Sequence, residues 1–176
     1  MRKVFLDTET TGLFTKDGHR IIDIACIEMI NRKLTGRVLH QFFNPEFPID
    51  PRAEAVHDMN NKMLEEKPKF ATIIPELKDF FFLLEVVAHN MQFDMEHVNN
   101  ELRIAGAGWL LGDICSPMCT LKMAWAMDKV HMVKGYSLDK LKEKYRVEIP
   151  REVHGALVDA SILAEVYLRF TKPWYM

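Results

Sequence analysis

Short apolar runs alternate along the chain with stretches in which apolar residues recur at helical spacing, a pattern typical of an α/β protein. The apolar runs predict strands at residues 4–6, 21–30, 38–43 and 85–88. The helical spacing predicts helices at residues 70–81, 93–104, 120–127 and 137–145, and a last helix within 154–167. Asp17-Gly18 and Thr35-Gly36 are typical of hairpin turns, so we expect the first three strands to form an antiparallel meander. The fourth strand lies between two helices and is expected to enter the sheet by a crossover.

Two carboxylates stand two residues apart at the end of the first predicted strand, in Asp7-Thr8-Glu9. Alternate side chains of a strand project to the same side, so Asp7 and Glu9 are expected to point into one pocket. Two carboxylates held that close repel each other, which raises one pKa strongly unless a cation lies between them. The alternative for an isolated pair of this kind is an Asx-turn at Asp7 and a solvated loop acid at Glu9.

Two further segments place chemistry-bearing residues beside predicted elements. Asp94 lies near the start of the helix that follows the fourth strand, where an acid alone would be expected to complement the helix dipole. Asp159 lies within the last helix, five residues after His154, and no capping role explains it. From its position alone, His154 is as consistent with a loop histidine that helps to cap this helix as with a residue of the site. Carboxylate ligands suit hard ions such as magnesium or manganese rather than zinc.

The segments around these residues resemble the three sequence motifs of the DEDDh group of 3′-to-5′ exonucleases, which carry four acids and a histidine. The resemblance covers nearly the whole chain for the proofreading epsilon subunits of bacterial DNA polymerase III, with similar residues at 18–24, 31–36 and 154–168. It implies a ribonuclease H-like α/β fold, with a mixed five-stranded sheet flanked by helices, in a single exonuclease domain spanning residues 1–176. The number of strands is implied by the family and not by the apolar runs.

The resemblance also implies an activity and the residues that carry it. The expected enzyme is a metal-dependent 3′-5′ exodeoxyribonuclease that removes nucleoside monophosphates from single-stranded or frayed DNA in proofreading. Two divalent metal ions, Mg²⁺ or Mn²⁺, are expected on Asp7, Glu9, Asp94 and Asp159, with Asp7 bridging them. His154 is expected to take the proton of the attacking water. The implied substrate-binding residues are Thr10, Thr11, Gly12, Leu13, His57, Asn90 and Phe93. The implied partners are single-stranded DNA 3′ ends and the alpha and theta subunits of DNA polymerase III.

The segment around His57 departs from the family pattern at two positions. The relatives carry a glutamate, near the 3′ end of the substrate, where this chain has Arg52, and a glycine where it has Asp58. We therefore expect recognition of the 3′-terminal sugar to differ from that of the relatives. The metal ligands are the same as in the family.

Three other functions compete with a DNA exonuclease. An RNA 3′ exonuclease is an alternative because motifs do not reveal contacts to the 2′-hydroxyl. A polymerase-complex assembly module with secondary activity is another. A phosphohydrolase that forms a phospho-aspartate is disfavoured, since that class requires D-x-D and a lysine near the pocket.

Composition narrows the class of protein further. The chain has 176 residues, 48% of them hydrophobic, which is enough for one domain with a real core. No apolar run is long enough to span a membrane and no signal sequence is apparent, so we expect a cytoplasmic protein without a membrane partner. Cys115 and Cys119 lack the second pair that a zinc site of this type requires.

The net charge of −2 is unusual for a protein that binds nucleic acid. Two divalent ions would add four positive charges at the place where phosphate must lie. We therefore expect a short footprint on a strand end and a shallow dependence of binding on salt. The loop at residues 129–135 is a further hypothesis for contact with phosphates upstream of the scissile bond.

Overall fold

A mixed five-stranded sheet forms the centre of the computed structural model, which describes residues 1–127 and 135–172. The strands are β1 (Arg2–Thr10), β2 (Ile21–Ile30), β3 (Lys33–Phe42), β4 (Glu85–Ala88) and β5 (Ser116–Cys119). They lie in the order β3-β2-β1-β4-β5, with β1 antiparallel to β2 and parallel to β4. The helices of the described ranges are α1 (Pro51–His57), α2 (Asn61–Leu64), α3 (Ile74–Phe81), α4 (Met91–Ile104), α5 (Leu111–Ile114), α6 (Thr120–Met127), α7 (Leu138–Lys144) and α8 (Ala156–Phe170). The predicted fold class and meander are confirmed.

The turn between β2 and β3 differs from the prediction. Asn31 and Arg32 form this turn with φ values of 49° and 65°, a left-handed pair typical of a tight hairpin. Gly36, with φ 84°, lies inside β3 where the register with β2 shifts between Ile27 and Met29. The prediction of a hairpin at Thr35-Gly36 is therefore wrong, because the glycine serves a β-bulge.

The loop at residues 11–20 joins β1 to β2 and is longer than a hairpin turn. Gly18, with φ 90°, ends a short 3-10 helix at Thr15–Asp17 within this loop. Arg20 donates to both carboxylate oxygens of Glu101 on α4 at 2.7 Å, and the backbone N–H of Ile21 donates to the same carboxylate at 3.1 Å. Because Glu101 is buried, this ion pair holds the end of the loop against α4.

Alternate residues of β1 contribute to different faces of the sheet. Val4 and Leu6 pack with the α3 and α4 side, in a cluster that includes Phe80 and Leu102. Phe5 packs on the opposite face against α8, where its ring lies 5.3 Å from that of Tyr167. Burying each such side chain contributes about 1.5–3 kcal/mol to stability. Helices α4 and α8 therefore approach the end of β1 from the two sides of the sheet.

Strand β5 and helix α1 were not predicted from the sequence. Pro117 lies in β5, at the edge of the sheet, where proline is tolerated. Helix α1 begins after Asp50, whose side chain accepts a hydrogen bond from the Arg52 backbone N–H at 2.7 Å. It ends at Asp58, whose φ of 57° lies in the left-handed region that favours glycine. None of the helices in residues 1–127 and 135–172 is long and apolar enough to cross a bilayer.

Candidate active site

The exit of β1 positions three of the predicted site residues. Asp7 and Glu9 follow Phe5 at alternate positions and therefore share the face of the sheet that α8 covers. Thr8, between them, points to the opposite face, and its hydroxyl donates a 2.9 Å hydrogen bond to Oδ1 of Asp94. Asp94 lies in the first turn of α4 and is buried. Because successive side chains of β1 point to opposite faces, this strand has Asp7 and Glu9 on one face and contacts Asp94 from the other.

The start of α8 contributes the other two residues. Gly155 is the N-cap of α8, so His154 lies just before the helix and Asp159 lies in its first turn. One ligand atom each from Glu9, His154 and Asp159 lie within 4.8 Å of one another. The structure thus brings Glu9 of β1 together with His154 and Asp159 at the start of α8.

The acids of this cluster hold their protons more tightly than ordinary carboxyl groups. Burial raises the pKa of Glu9 to about 8 and that of Asp94 to about 7. Burial, and then the charges of Asp94, Asp159 and Glu9, raise the pKa of Asp7 well above its usual range. Burial also raises the pKa of Asp159, against the opposing charges of Arg151 and His154. Burial is the first cause of each shift, and for Asp7 and Glu9 the neighbouring carboxylates add to it.

This donor set fits a divalent cation. The ligand atoms are carboxylate oxygens with one imidazole, and Oδ1 of Asp159 is buried without a hydrogen-bond donor among the described residues. Hard ions such as Mg²⁺ or Mn²⁺ prefer such oxygens.

Arg151 is a site residue that the sequence analysis missed. Its guanidinium donates to Oδ2 of Asp159 at 2.6 Å, and it also contacts Nδ1 of His154 and Oδ1 of Asp139. The only signal in the sequence is its position three residues before His154, and no periodicity relates it to its partners.

A cleft of about 450 Å³ opens beside the acids. Its lining includes five of the predicted substrate-binding residues, namely Thr10, Gly12, Leu13, His57 and Phe93. Glu9 lines the same cleft, so the predicted substrate residues and the acid cluster are continuous. Leu13 and Phe14 are exposed at this cleft, with 68% and 55% of their surface accessible. Arg52, one of the two departures from the family pattern, also contributes to the lining.

Two predicted substrate residues lie elsewhere. Thr11 is fully buried, and its hydroxyl lies 3.0 Å from Nδ1 of His19 and accepts a 3.0 Å hydrogen bond from the Arg20 backbone N–H. This residue therefore supports the cleft from beneath and does not line it. Asn90 lies in the turn from β4 into α4 with φ 67°, and its backbone carbonyl accepts from the Phe93 N–H at 2.8 Å. Its role in the structure is to make this sharp turn.

Gly12 has no side chain, and both the open cleft and the packing of its wall depend on this. A Cβ atom at this position would lie 2.4–2.6 Å from three ring atoms of His19. The sequence alone does not reveal this requirement, because His19 is seven positions away.

A second residue missed from the sequence is Asp23 of β2, which is buried. Its Oδ2 accepts a 3.0 Å hydrogen bond from the Ala156 backbone N–H, and its Oδ1 lies 3.0 Å from Nε2 of His40. It therefore ties the first residue of α8 to the sheet, next to His154.

The remaining sequence expectations concern cysteines and the loop at residues 129–135. Cys26, Cys115 and Cys119 are free thiols. Most of the loop expected to contact phosphates lies outside the described residues, which stop at 127 and resume at 135.

Comparison with known proteins identifies similar sequences over almost the whole chain. The model of the exonuclease family RNase_T matches residues 4–167. DNA polymerase III subunit epsilon of Rickettsia felis is 38% identical over 173 residues, covering 97% of this chain and 74% of that protein. The subunit epsilon of Salmonella typhimurium is 39% identical over 178 residues, covering 97% of this chain and 71% of that protein.

Solved structures agree with these sequence relatives. Exonuclease X in complex with 5′ overhanging duplex DNA matches with a TM-score of 0.68 and 26% identity, covering 94% of this chain and 89% of that one. Cell-death related nuclease 4 matches with a TM-score of 0.79 at 12% identity, covering 96% of this chain and 63% of that one. The second likeness supports the fold.

Proposed function

Since the chain belongs to the exonuclease family, with the epsilon subunits of DNA polymerase III as relatives, and is a 3′-5′ exonuclease, we propose a specific substrate and metal requirement for it. It removes nucleoside monophosphates one at a time from the 3′ end of single-stranded or frayed DNA in proofreading. Two divalent ions, Mg²⁺ or Mn²⁺, bind to Asp7, Glu9, Asp94 and Asp159. The observation that carries this proposal is the cluster of acids with raised pKa values beside a cleft of about 450 Å³.

The residues of the cluster have distinct roles in this proposal. When bound, the ions supply acidification of water and neutralisation of the charge that develops on the phosphate. Asp7, whose pKa is raised further by the charges of Asp94, Asp159 and Glu9, would be a ligand of the ions. His154, at the exposed side of the cluster, accepts the proton of the attacking water. Thr8 holds Asp94 in place through its hydroxyl.

The cleft receives the terminal nucleotide. Thr10 fixes the turn that follows β1, since its hydroxyl donates to the Gly12 carbonyl at 2.7 Å. The ring of Phe93 flanks the base, and it is itself supported by His97, whose ring lies 4.4 Å away. Leu13 and His57 complete the wall of the cleft. Base stacking on aromatic rings is largely independent of sequence, as proofreading requires.

Residues 1–176 form a single exonuclease domain in this proposal. The names of the relatives support work within a DNA polymerase III assembly, with the alpha and theta subunits as partners. The DNA complex of Exonuclease X, a neighbour in structure, supports DNA as the substrate.

The test is digestion of single-stranded DNA and RNA labelled at either the 3′ or the 5′ end, in Mn²⁺ and in excess EDTA. We expect mononucleotides from the 3′ end of DNA, no products in EDTA, and a rate at least about 100-fold lower for Asp7→Asn. Asp79→Asn, an exposed acid on α3, is the matched control and should retain full activity. Activity that persists in EDTA or in Asp7→Asn contradicts the metal site, and preferential digestion of RNA contradicts the DNA substrate.

A further inference from the structure

Arg52 brings a permanent positive charge to the cleft that is proposed to receive the terminal nucleotide. Among the described residues that line this cleft, it is the only lysine or arginine. Its side chain is exposed, and it forms no ion pair with any residue in 1–127 or 135–172. The guanidinium is therefore available to an anion that enters the cleft.

Two hydrogen bonds fix the backbone of Arg52 beside the cleft wall. The N–H of Asp50 donates to the Thr11 carbonyl at 2.8 Å, which ties the start of α1 to the residue before Gly12. Oδ1 of Asp50 accepts from the Arg52 N–H at 2.7 Å and caps the helix. The position of Arg52 in the cleft is thus set by backbone contacts, and its guanidinium is not needed to maintain them.

The proposed reaction determines which part of the substrate lies near Arg52. The phosphate that is cleaved lies at the acid cluster, and Glu9 is the acid of that cluster that lines the cleft. This phosphate is bonded to the 5′ oxygen of the terminal nucleoside, so the 3′ oxygen of the same sugar faces away from the acids. Phe93 of α4 flanks the base, which leaves the wall formed by α1 for the 3′ side of the sugar.

We propose that the enzyme also degrades DNA strands that end in a 3′-phosphate, and that the Arg52 guanidinium binds this phosphate. A guanidinium pairs two N–H groups with two phosphate oxygens, and such charge-assisted hydrogen bonds are strong. Asp17 and Asp50 line the same cleft and would repel a terminal phosphate if no cation stood beside them. This inference rests on the proposed exonuclease function and names a further class of substrate for the same site.

The first cut on such a strand yields a distinctive product. Water attacks the phosphorus between the last two nucleosides, and the bond from this phosphorus to the 3′ oxygen of the penultimate sugar breaks. The hydroxyl of the water stays on phosphorus, and its proton ends on the leaving oxygen. The released nucleotide therefore carries one phosphate on its 5′ oxygen and the original phosphate on its 3′ oxygen. Each later cut releases a nucleoside 5′-monophosphate.

The test compares two single-stranded DNA oligonucleotides of one sequence, which end in a 3′-hydroxyl or a 3′-phosphate and carry a 5′ label. In Mn²⁺, wild type should degrade both, with kcat/KM for the 3′-phosphate strand at least as high as that for the 3′-hydroxyl strand. Chromatography of the products should find one nucleoside 3′,5′-bisphosphate for each phosphorylated strand that is degraded.

Variants of Arg52 should change the ratio of these two kcat/KM values. Arg52→Gln should lower the ratio of 3′-phosphate to 3′-hydroxyl by about tenfold, and Arg52→Glu, which reverses the charge, by about 100-fold. Both variants should fold, because an exposed side chain without an ion pair contributes little to stability. Lys62→Gln is the matched control: Lys62 is exposed on α2 and does not line the cleft, so the ratio should not change.

The ratio within one variant is independent of a general loss of folding or metal binding, since such a loss affects both strands equally. An unchanged ratio in Arg52→Glu overturns the inference. Wild-type protein that degrades the 3′-hydroxyl strand and leaves the 3′-phosphate strand intact overturns it too, while the proposed exonuclease function stands. Wild-type protein that degrades neither strand overturns the proposed function and this inference together.

Discussion

Asp94 illustrates how strongly its surroundings change the chemistry of one side chain. From the sequence alone it is an ordinary first-turn acid, which would be exposed and charged. In the structure it is buried, and burial raises its pKa to about 7 although the Thr8 hydroxyl and backbone N–H groups favour the charged form. Burial therefore changes the chemistry of a residue that the helix-dipole rule alone would explain.

The raised pKa values predict how the stability of the ion-free protein depends on pH. The pKa of Asp94 rises from 3.8 to about 7 and that of Glu9 from 4.5 to about 8, so the folded protein binds more protons than the unfolded chain between about pH 4 and pH 8. Stability must then fall as pH rises through this window. In EDTA, the melting temperature should drop by on the order of 5–10 °C between pH 5 and pH 8.

Asp94→Asn isolates the contribution of Asp94 to this pH dependence, because it removes one titrating group while the histidines and the other acids titrate as before. Its melting temperature in EDTA should depend less steeply on pH than that of wild type. Mn²⁺ should reverse the wild-type trend, since the ion favours the charged carboxylates. If the melting temperatures of wild type and Asp94→Asn in EDTA changed equally with pH, Asp94 would not be an acid with a raised pKa.

Gly12 supports a prediction about steric fit. In Gly12→Ala, the new Cβ would overlap the ring of His19, which must then give up its contact with Thr11. We expect a loss of about 1–3 kcal/mol in the free energy of unfolding and a higher KM for DNA. Gly112→Ala on α5 is the matched control, because nothing lies within 4 Å of a Cβ at that position. Equal unfolding free energies for the two variants would show that His19 adjusts without cost.

At the level of elements, Asp23 explains how the sheet sets the position of α8. It accepts a hydrogen bond from the first N–H of the helix, and its partner His40 on β3 has a raised pKa because of the hydrogen bond to Asp23. The chain reaches α8 through a long segment after β5, so this contact fixes the helix start against β2. His154 and Gly155 directly precede that start and depend on it.

Asp23→Asn should therefore affect catalysis without touching the substrate cleft. We expect a loss of about 1–3 kcal/mol in stability and a clear decrease in kcat, with KM for DNA nearly unchanged. The pKa of His40, measured by NMR, should fall toward the ordinary value of histidine. Asp113→Asn is the control: Asp113 caps α5 by accepting from the Leu110 N–H at 2.7 Å, so stability should fall while kcat is retained. An unchanged kcat in Asp23→Asn would show that α8 is held in place by its apolar face alone.

The same elements show which features sequence reasoning reaches. Asp7 and Glu9 were predictable because a period of two places them on one face of a strand. Strand β5 was missed because a four-residue edge strand that contains Pro117 has no apolar run to reveal it. Arg151 was missed because its partner Asp139 lies twelve positions earlier on α7, and only the folded chain brings them together. Local, periodic patterns could be predicted from the sequence, whereas contacts between distant segments could not.

At the level of the whole molecule, charge is the feature that most constrains the mode of DNA binding. The chain carries 23 basic and 25 acidic residues, for a net charge of −2. A protein of this kind lacks the excess of lysine and arginine that contacts many phosphates along a strand. In the proposed function, divalent ions at the acid cluster would supply the positive charge where the phosphate lies.

This distribution predicts a shallow dependence of activity on salt. Because few counterions are released when only the strand end is bound, log(kcat/KM) against log[KCl] should have a slope smaller in magnitude than about 3. The measurement is the rate of digestion of a short single-stranded DNA at saturating Mg²⁺ and several KCl concentrations. A steeper slope would mean that basic side chains contact several phosphates upstream of the scissile bond. A slope that steepens as the oligonucleotide is lengthened would locate those contacts far from the acid cluster, since the end-binding site is already filled by the short strand.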